Sequence, residues 1–300
     1  VLAVFIVLGL LAASTAGLFM WRVNTWRVMS GDLVCELEAR KQCPFPLVYD
    51  PAETSGLPAP VRRYFETVLR PGQPLIAAVA LEHEGEINLG GERPNWKPFT
   101  SLQRVTTCPP GFDWFARVPL MSGIASGIAA EVHDAFVGGR GILRVRVAGA
   151  VSLVDLTGTA DINKGELMRY LAEGAWYPTA LLPSQGVVWE AVDATSARAT
   201  LEMDGTQVSM LFRFAASGLI ESVWAKDRPM MEKQGVRSMP WEGRWTGVIE
   251  VNGMRVPREG EVAWLLPTGR RPYWWGRVTH VRYAFSDDWL PSTGESESSG

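Results

Sequence analysis

The alternation of apolar and polar positions changes period several times along this chain. Val1 to Trp21 holds no charged residue. Roughly 20 apolar residues cross a bilayer as a helix, so residues 1–21 are predicted as a transmembrane or signal-anchor helix. Trp21 and Trp26 suit the membrane interface, and Arg22 and Arg27 the exit to water. Ser14-Thr15-Ala16 offers a small-residue cleavage site, but the apolar run continues past it through Leu18, Phe19, Met20 and Trp21. That favours an uncleaved anchor over a cleaved signal peptide. Residues 22–56 are polar and contain Pro44, Pro46 and Pro51, and they predict a linker.

A helical period follows. Val61, Tyr64, Phe65, Val68 and Leu69 stand at i, i+3, i+4, i+7 and i+8, with Pro58 and Pro60 in the first turn and Pro71-Gly72 at the end. The period then falls to two. Leu75, Ala77, Val79, Leu81, Ile87 and Leu89 alternate with Glu82, Glu84, Glu86 and Asn88, a long strand with one wet face. Phe112, Trp114, Ala116 and Val118 alternate with Asp113 and Arg117. Leu143, Val145, Val147, Val151 and Leu153 make the apolar face of another strand, which carries Arg144 and Arg146 on its solvated side.

Two hairpins are specified almost to the residue. Asp204-Gly205 is a favoured two-residue turn. It sets Met203 opposite Thr206, Leu201 opposite Val208, Ala199 opposite Met210 and Ala197 opposite Phe212, all on one face. Glu202/Gln207 and Thr200/Ser209 fall on the other, so register and pattern agree. Asn252-Gly253 likewise sets Val251 opposite Met254, Ile249 opposite Val256 and Glu250 opposite Arg255. Further strands are predicted at about 187–193, 219–226 and 272–285. One helix interrupts them: Asn163 is expected to cap it, with Glu166 in capping-box position, Leu167, Tyr170 and Leu171 as its apolar stripe and Gly174 at its end. The resulting domain covers 57–288, and the polar tail 289–300 is predicted to be disordered.

With ten to twelve strands and no regular strand–helix alternation, a parallel α/β fold is excluded. The expected class is mainly β (α+β). A large curled antiparallel sheet, or unclosed β-barrel, covers one leading and one inserted helix, with the N-terminal membrane helix in front. A sheet of that many strands curls or splits.

Composition narrows the function. Lys and Arg number 29 against 32 Asp and Glu, a formal net charge of −3, without the basic excess of a nucleic-acid binder. There are three cysteines and no CxxC pair. Cys35 and Cys43 either form a local disulfide outside the cytoplasm or are unrelated thiols. His83, His133 and His280 are not spaced as metal ligands, and no cofactor motif is present. Gly138-Gly139-Arg140-Gly141 lies between two strands and reads as a hairpin turn, not a phosphate cradle. No G-x-S-x-G elbow occurs. His83 falls on an apolar strand face and is expected to be a hydrogen-bonded core residue. Glu131 and His133 face one way on their strand and Asp134 the other. Asp134 shares its face with Val132 and Phe136, so it needs a partner, an arginine or backbone amides. Glu166 and Arg169, at i and i+3, are expected to form a surface ion pair.

The 13 tryptophans are the compositional excess. Tryptophan packs cores, and it also lines cavities for apolar ligands. Trp114, Asp134, Tyr170, Trp176, Tyr177 and Trp189 are the candidate ligand-lining residues. No catalytic residue is assigned.

The stretch Gly165-Glu166-Leu167-Met168-Arg169-Tyr170-Leu171-Ala172-Glu173, followed by Trp176-Tyr177-Pro178-Thr179-Ala180-Leu181-Leu182-Pro183, resembles a bacterial domain family of unknown function. So do Arg63-Tyr64-Phe65, Trp96-Lys97-Pro98-Phe99 with Gln103, Phe112-Asp113-Trp114, Asp134-Ala135-Phe136 and Pro240-Trp241. The resemblance spans about 57–285 and implies no assigned activity. The order of elements also resembles the lipoprotein-localisation-factor (LolA-like) fold, in which an unclosed barrel covers helices and binds acyl chains. That analogy implies an extracytoplasmic envelope protein at the membrane, without catalysis, whose partner is a lipid or lipoprotein acyl chain. Two alternatives are open: an interaction protein with a filled core, and an enzyme using Asp134.

Overall fold

A computed structural model describes residues 2–90, 93–121, 128–232 and 235–286. The tail 289–300, expected to be disordered, lies outside the described residues. Helix α1 (Leu2–Arg40) precedes a short 3-10 turn (Pro51–Thr54) and helix α2 (Ala59–Val68). Six strands follow: β1 (Ile76–Asn88), β2 (Trp96–Thr107), β3 (Pro110–Pro119), β4 (Ala129–Val137), β5 (Arg140–Val147) and β6 (Val151–Thr157). Helix α3 (Ala160–Glu173) and short 3-10 turns to Gln185 lead to β7 (Val188–Ala191), β8 (Ser196–Met203), β9 (Thr206–Phe214) and β10 (Ile220–Glu232). The chain continues through β11 (Gly235–Thr246), β12 (Ile249–Val251), β13 (Met254–Val256), β14 (Glu259–Leu266) and β15 (Gly269–Phe285).

Thirteen of these strands form one antiparallel sheet in the order β6-β5-β4-β3-β2-β1-β15-β14-β11-β10-β9-β8-β7, and β12–β13 form a separate hairpin. The sheet is two meanders joined where the first strand pairs with the last, from Ile76 opposite Phe285 to Ile87 opposite Trp274. Its two edges are β6 and β7, and α3 is the connection between them. A sheet of this width must curl, and the chain has to return across its concave side. The element order is the one expected: a leading helix, strands, an inserted helix and more strands. Both hairpins have the register read from the sequence. Asp204 and Gly205 have φ of 48° and 76°, the positive values that such a turn requires.

The core lies between the sheet and the helices. Tyr64 and Phe65 of α2, Leu167 and Leu171 of α3, and Phe112, Phe136 and Phe212 of the sheet are fully buried there. β1 crosses β15 at two facing glycines, Gly85 and Gly276. A Cβ on Gly85 would lie 2.1 Å from the Trp275 carbonyl oxygen, so the close backbone approach requires glycine.

Four expectations are corrected. The segment 22–56 is not all linker, because α1 runs unbroken to Arg40. Its first part is apolar and exposed, from Phe5 to Arg22, while its last five turns pack on the outer face of the sheet. There Leu33 and Leu37 cluster with Ala135, Val137 and Ile142. Trp26 is accordingly not an interface residue. Its indole Nε1 donates to Glu131 (2.5 Å), and it packs edge-on to His133. Asp113, which alternates with the apolar positions of its strand, is buried beneath the same helix. It bonds His133 Nδ1 at 2.7 Å, while the Ser30 hydroxyl meets His133 Nε2 at 2.9 Å. The single strand expected over 143–153 is two, β5 and β6, divided by a turn in which Ala148 and Gly149 have positive φ. α3 starts one turn before Asn163: Thr159 caps it through the Ile162 amide, and the Asn163 side chain instead accepts from Gly141 N. The three cysteines are free thiols.

Truncating Leu37 to alanine opens a cavity under α1 and is expected to cost about 2–4 kcal/mol. A thermal melt of the full chain measures this, and faster amide exchange confined to residues around 30–40 is the expected local signature.

Candidate functional site

α3 presents Arg169 and Glu173, one turn apart, to the concave face of the sheet. Taking a guanidinium out of water is costly unless carboxylates replace its solvent, and here two do. Arg169 Nη1 donates to Asp134 Oδ2 at 2.6 Å, and Nε donates to Glu173 Oε1 at 2.7 Å. Its plane lies 5.0 Å from the ring centroids of both Phe112 and Trp114. Glu173 is held in turn by Gln103 Nε2 at 2.5 Å. Burial works against the Arg169 charge, but Glu173 and Asp134 more than offset it, and its pKa is raised. The arginine that Asp134 requires is therefore Arg169, and the pair belongs to the interior, not the surface.

Glu166, one turn earlier on α3, is buried. Burial, with the neighbouring Asp134 charge, pushes its carboxyl well above the usual carboxylate range. Both effects disfavour the ionised form of the Glu166 carboxyl. His83 also lies at this face, its ring 5.2 Å from Trp176 and 6.2 Å from Trp274. Burial and Arg169 lower its pKa to about 3, so it is a neutral core residue, with Ser101 Oγ 3.4 Å from Nδ1.

Beside this cluster a cavity of about 100 Å³ opens between α3 and the sheet. Its walls are mainly aromatic: Trp114, Trp176, Trp241, Trp245, Tyr273 and Trp274. Ala172, Val262 and Ile87 fill the gaps, and Asp134, Arg169, Glu173, Arg228, Arg244 and Glu261 are the charged groups within it. Trp176 is fixed by its Nε1 bond to the Pro257 carbonyl (3.1 Å) and Trp241 by Nε1 to the Tyr273 hydroxyl (3.0 Å).

The family model described as a family of unknown function, DUF6920, matches residues 55–283, which include both helices of this domain and all its strands but for the last two residues of β15. The chain belongs to the DUF6920 family. The DUF6920 stretch from Gly165 to Pro183 carries most of α3 and the turns after it, and so supplies the helical wall of the cavity. No curated protein matches in sequence. Among the solved structures similar to it are the following three. A LolA superfamily protein from Nitrosomonas europaea is 8% identical over 75% of this chain and 92% of its own, at a TM-score of 0.38. A DUF1329 family protein from Desulfovibrio piger is 13% identical over 81% and 98%, at 0.39. A putative outer membrane lipoprotein-sorting protein domain from Vibrio parahaemolyticus is 8% identical over 69% and 84%, at 0.35. Identities and TM-scores this low say nothing about what this DUF6920 chain binds.

Of the six candidate lining residues, the fold brings Trp114, Asp134 and Trp176 to the cavity. Tyr170, Tyr177 and Trp189 do not line it. The Tyr177 hydroxyl donates to the Tyr170 carbonyl at 2.8 Å, and Trp189 Nε1 donates to the Leu181 carbonyl at 3.0 Å with its ring against Phe212. All three are core. Residues missed from sequence are Arg228 and Trp241, Tyr273 and Trp274. Among the described residues no group of three or more His, Cys, Asp or Glu is placed to hold a metal ion.

Two outcomes follow from this electrostatics. Asp134→Ala leaves Arg169 with one carboxylate and is expected to cost about 3–5 kcal/mol, read by chemical denaturation. Glu166 has a folded pKa above its unfolded value, so its contribution is complete below the ordinary carboxylate range and is lost as pH rises through the folded value. Glu166→Gln is neutral at every pH and is expected to remove that component. The test is the slope of stability against pH above about 4.5, shallower in the variant than in the parent.

Proposed function

We propose that this protein is a membrane-tethered envelope protein that binds a lipid or other apolar molecule in the cavity between α3 and the sheet, without transforming it. The observation that carries this reading is the wall itself: five tryptophans and a tyrosine face one space that the side chains around it leave open. A core packed to ordinary density has no such void, which sets this reading above that of an interaction protein with a filled interior. α1 supplies the tether. It is a helix long and apolar enough to cross a membrane, and its exposed first half is followed by a half docked on the sheet.

Acid–base chemistry is the reading that the neighbouring carboxyls of Asp134 and Glu166 would otherwise favour. Glu166 is not among the residues that line the cavity, so its carboxyl is not presented to a bound molecule, and Asp134 is committed to Arg169. Binding is the better account.

Val262→Trp places an indole in the open space while keeping the strand apolar. The full chain, purified in a mild nonionic detergent and examined by native mass spectrometry with lipid extraction, is expected to carry a co-purified apolar molecule. The Val262→Trp form is expected to carry it at a small fraction of the parent's occupancy, with an unchanged circular dichroism spectrum. Equal occupancy in the two, or none in the parent, contradicts the reading.

A further inference from the structure

Ser30 of α1, His133 of β4 and Asp113 of β3 stand in line on the outer face of the sheet. Asp113 Oδ1 lies 2.7 Å from His133 Nδ1, and Ser30 Oγ lies 2.9 Å from His133 Nε2. Asp113 is fully buried and His133 nearly so. With Asp113 accepting at Nδ1, that nitrogen carries the ring proton, and Nε2 is left to accept from the Ser30 hydroxyl. A hydroxyl, an imidazole and a carboxyl linked in this order form the relay that activates a serine for attack. Such a relay is recognised by geometry, whatever its order in the chain.

Docking α1 does not require this array. Leu33 and Leu37 dock the next two turns with apolar groups alone. A buried polar relay is generally no more stabilising than well-packed apolar side chains of similar volume, and Asp113 Oδ2 is buried without a donor. The serine hydroxyl is also turned away from its usual partner. Thr15 and Thr25 on the same helix return their hydroxyls to the carbonyls four residues back, at 2.7 and 2.9 Å, a common habit of helical hydroxyls. Among the described residues, the Ser30 hydroxyl bonds His133 alone. Ser30 also lines a cleft of about 400 Å³, a size that admits a small ligand. Val23, Trp26 and Phe115 form its apolar wall, and Arg27 lies in the same cleft, one turn before Ser30. Arg27 is exposed and makes no ion pair or hydrogen bond among the described residues.

We propose that Ser30, His133 and Asp113 form a serine hydrolase site for a carboxylic ester with an apolar acyl group. The site lies on the opposite face from the cavity under α3 and does not depend on the binding reading above. Ser30 Oγ attacks the ester carbonyl carbon as its proton passes to His133 Nε2. Asp113 is a positioning residue: it holds Nδ1–H and stabilises the imidazolium that forms. The carbonyl oxygen takes up negative charge beside the Arg27 guanidinium. The bond to the alcohol oxygen then breaks, and the alcohol leaves with the proton from Nε2. A water gives a proton to Nε2 and attacks the acyl-serine. The acid departs, and the proton on Nε2 returns to Ser30. The sum converts one ester and one water to one acid and one alcohol.

The test uses the full chain in maltoside micelles. A fluorophosphonate probe is expected to add one phosphonyl group, located at Ser30 by tandem mass spectrometry of proteolytic fragments. Ser30→Ala is expected to lose this label, and His133→Gln to acquire it about a hundredfold or more slowly. Hydrolysis of p-nitrophenyl butyrate is expected in the parent and not in Ser30→Ala. Asp113→Asn is expected to lower kcat about a hundredfold or more with KM within about twofold, whereas a loosened α1 raises KM as well. No label at Ser30 in the parent, or equal labelling rates in the parent and His133→Gln, overturns the site. Ester turnover no faster in the parent than in Ser30→Ala overturns the hydrolase assignment. The parent and Ser30→Ala decide the matter even if the His133 and Asp113 variants do not fold.

Discussion

A guanidinium removed from water needs carboxylates around it, and carboxylates on a strand face turned inward need a cation. Arg169 and Asp134 solve each other's problem across the gap between α3 and β4, and Glu173 and Gln103 extend the bond to β2. This cluster fixes how α3 lies across the trough of the sheet. Because α3 also joins the two edge strands, its placement sets the curl of the whole sheet. The cavity is the remainder: the strip of concave face, chiefly β11, β14 and β15, that α3 does not cover.

α1 is connected to that arrangement through a second polar cluster on the opposite face. α1, at 39 residues, is roughly 58 Å long, about twice what a bilayer core requires. Its second half reaches the sheet through Trp26, Ser30, Leu33 and Leu37, which repeat at i, i+4, i+7 and i+11 and so share one stripe. They cover His133, Asp113 and Glu131 on β3 and β4. Asp134 on the same β4 strand points the other way, to Arg169. One strand therefore carries α1 on one face and the α3 cluster on the other.

How much of this was legible depended on the range of the interactions involved. The Asp204-Gly205 and Asn252-Gly253 hairpins are local, and turn chemistry and period-two pattern specify the same register twice. Asp134 was legible as a need, because a carboxylate between Val132 and Phe136 requires a partner, but its partner was not: Arg169 is separated from it by two strands. Arg169 and Glu166 read as a surface pair at helical spacing, and only the curl of the sheet buries them. Asn163 read as a cap because its residue type fits, while its amide was needed elsewhere by Gly141. β5 and β6 read as one strand because their apolar positions are in phase across the turn. β11 and β14 gave no clear alternation, since Pro240, Gly243 and several charged residues interrupt it, so Trp241 and the neighbours of Arg228 could not be placed around a cavity. The extension of α1 was hidden because its buried stripe is only four residues wide among polar ones.

The most direct measurement of the central claim is a crystal structure of the full chain purified from its own membrane with no ligand added. The account predicts continuous non-protein density along Trp176, Trp245 and Trp274. A collapsed cavity, with an indole of Trp245 or Trp274 turned into the space, contradicts it.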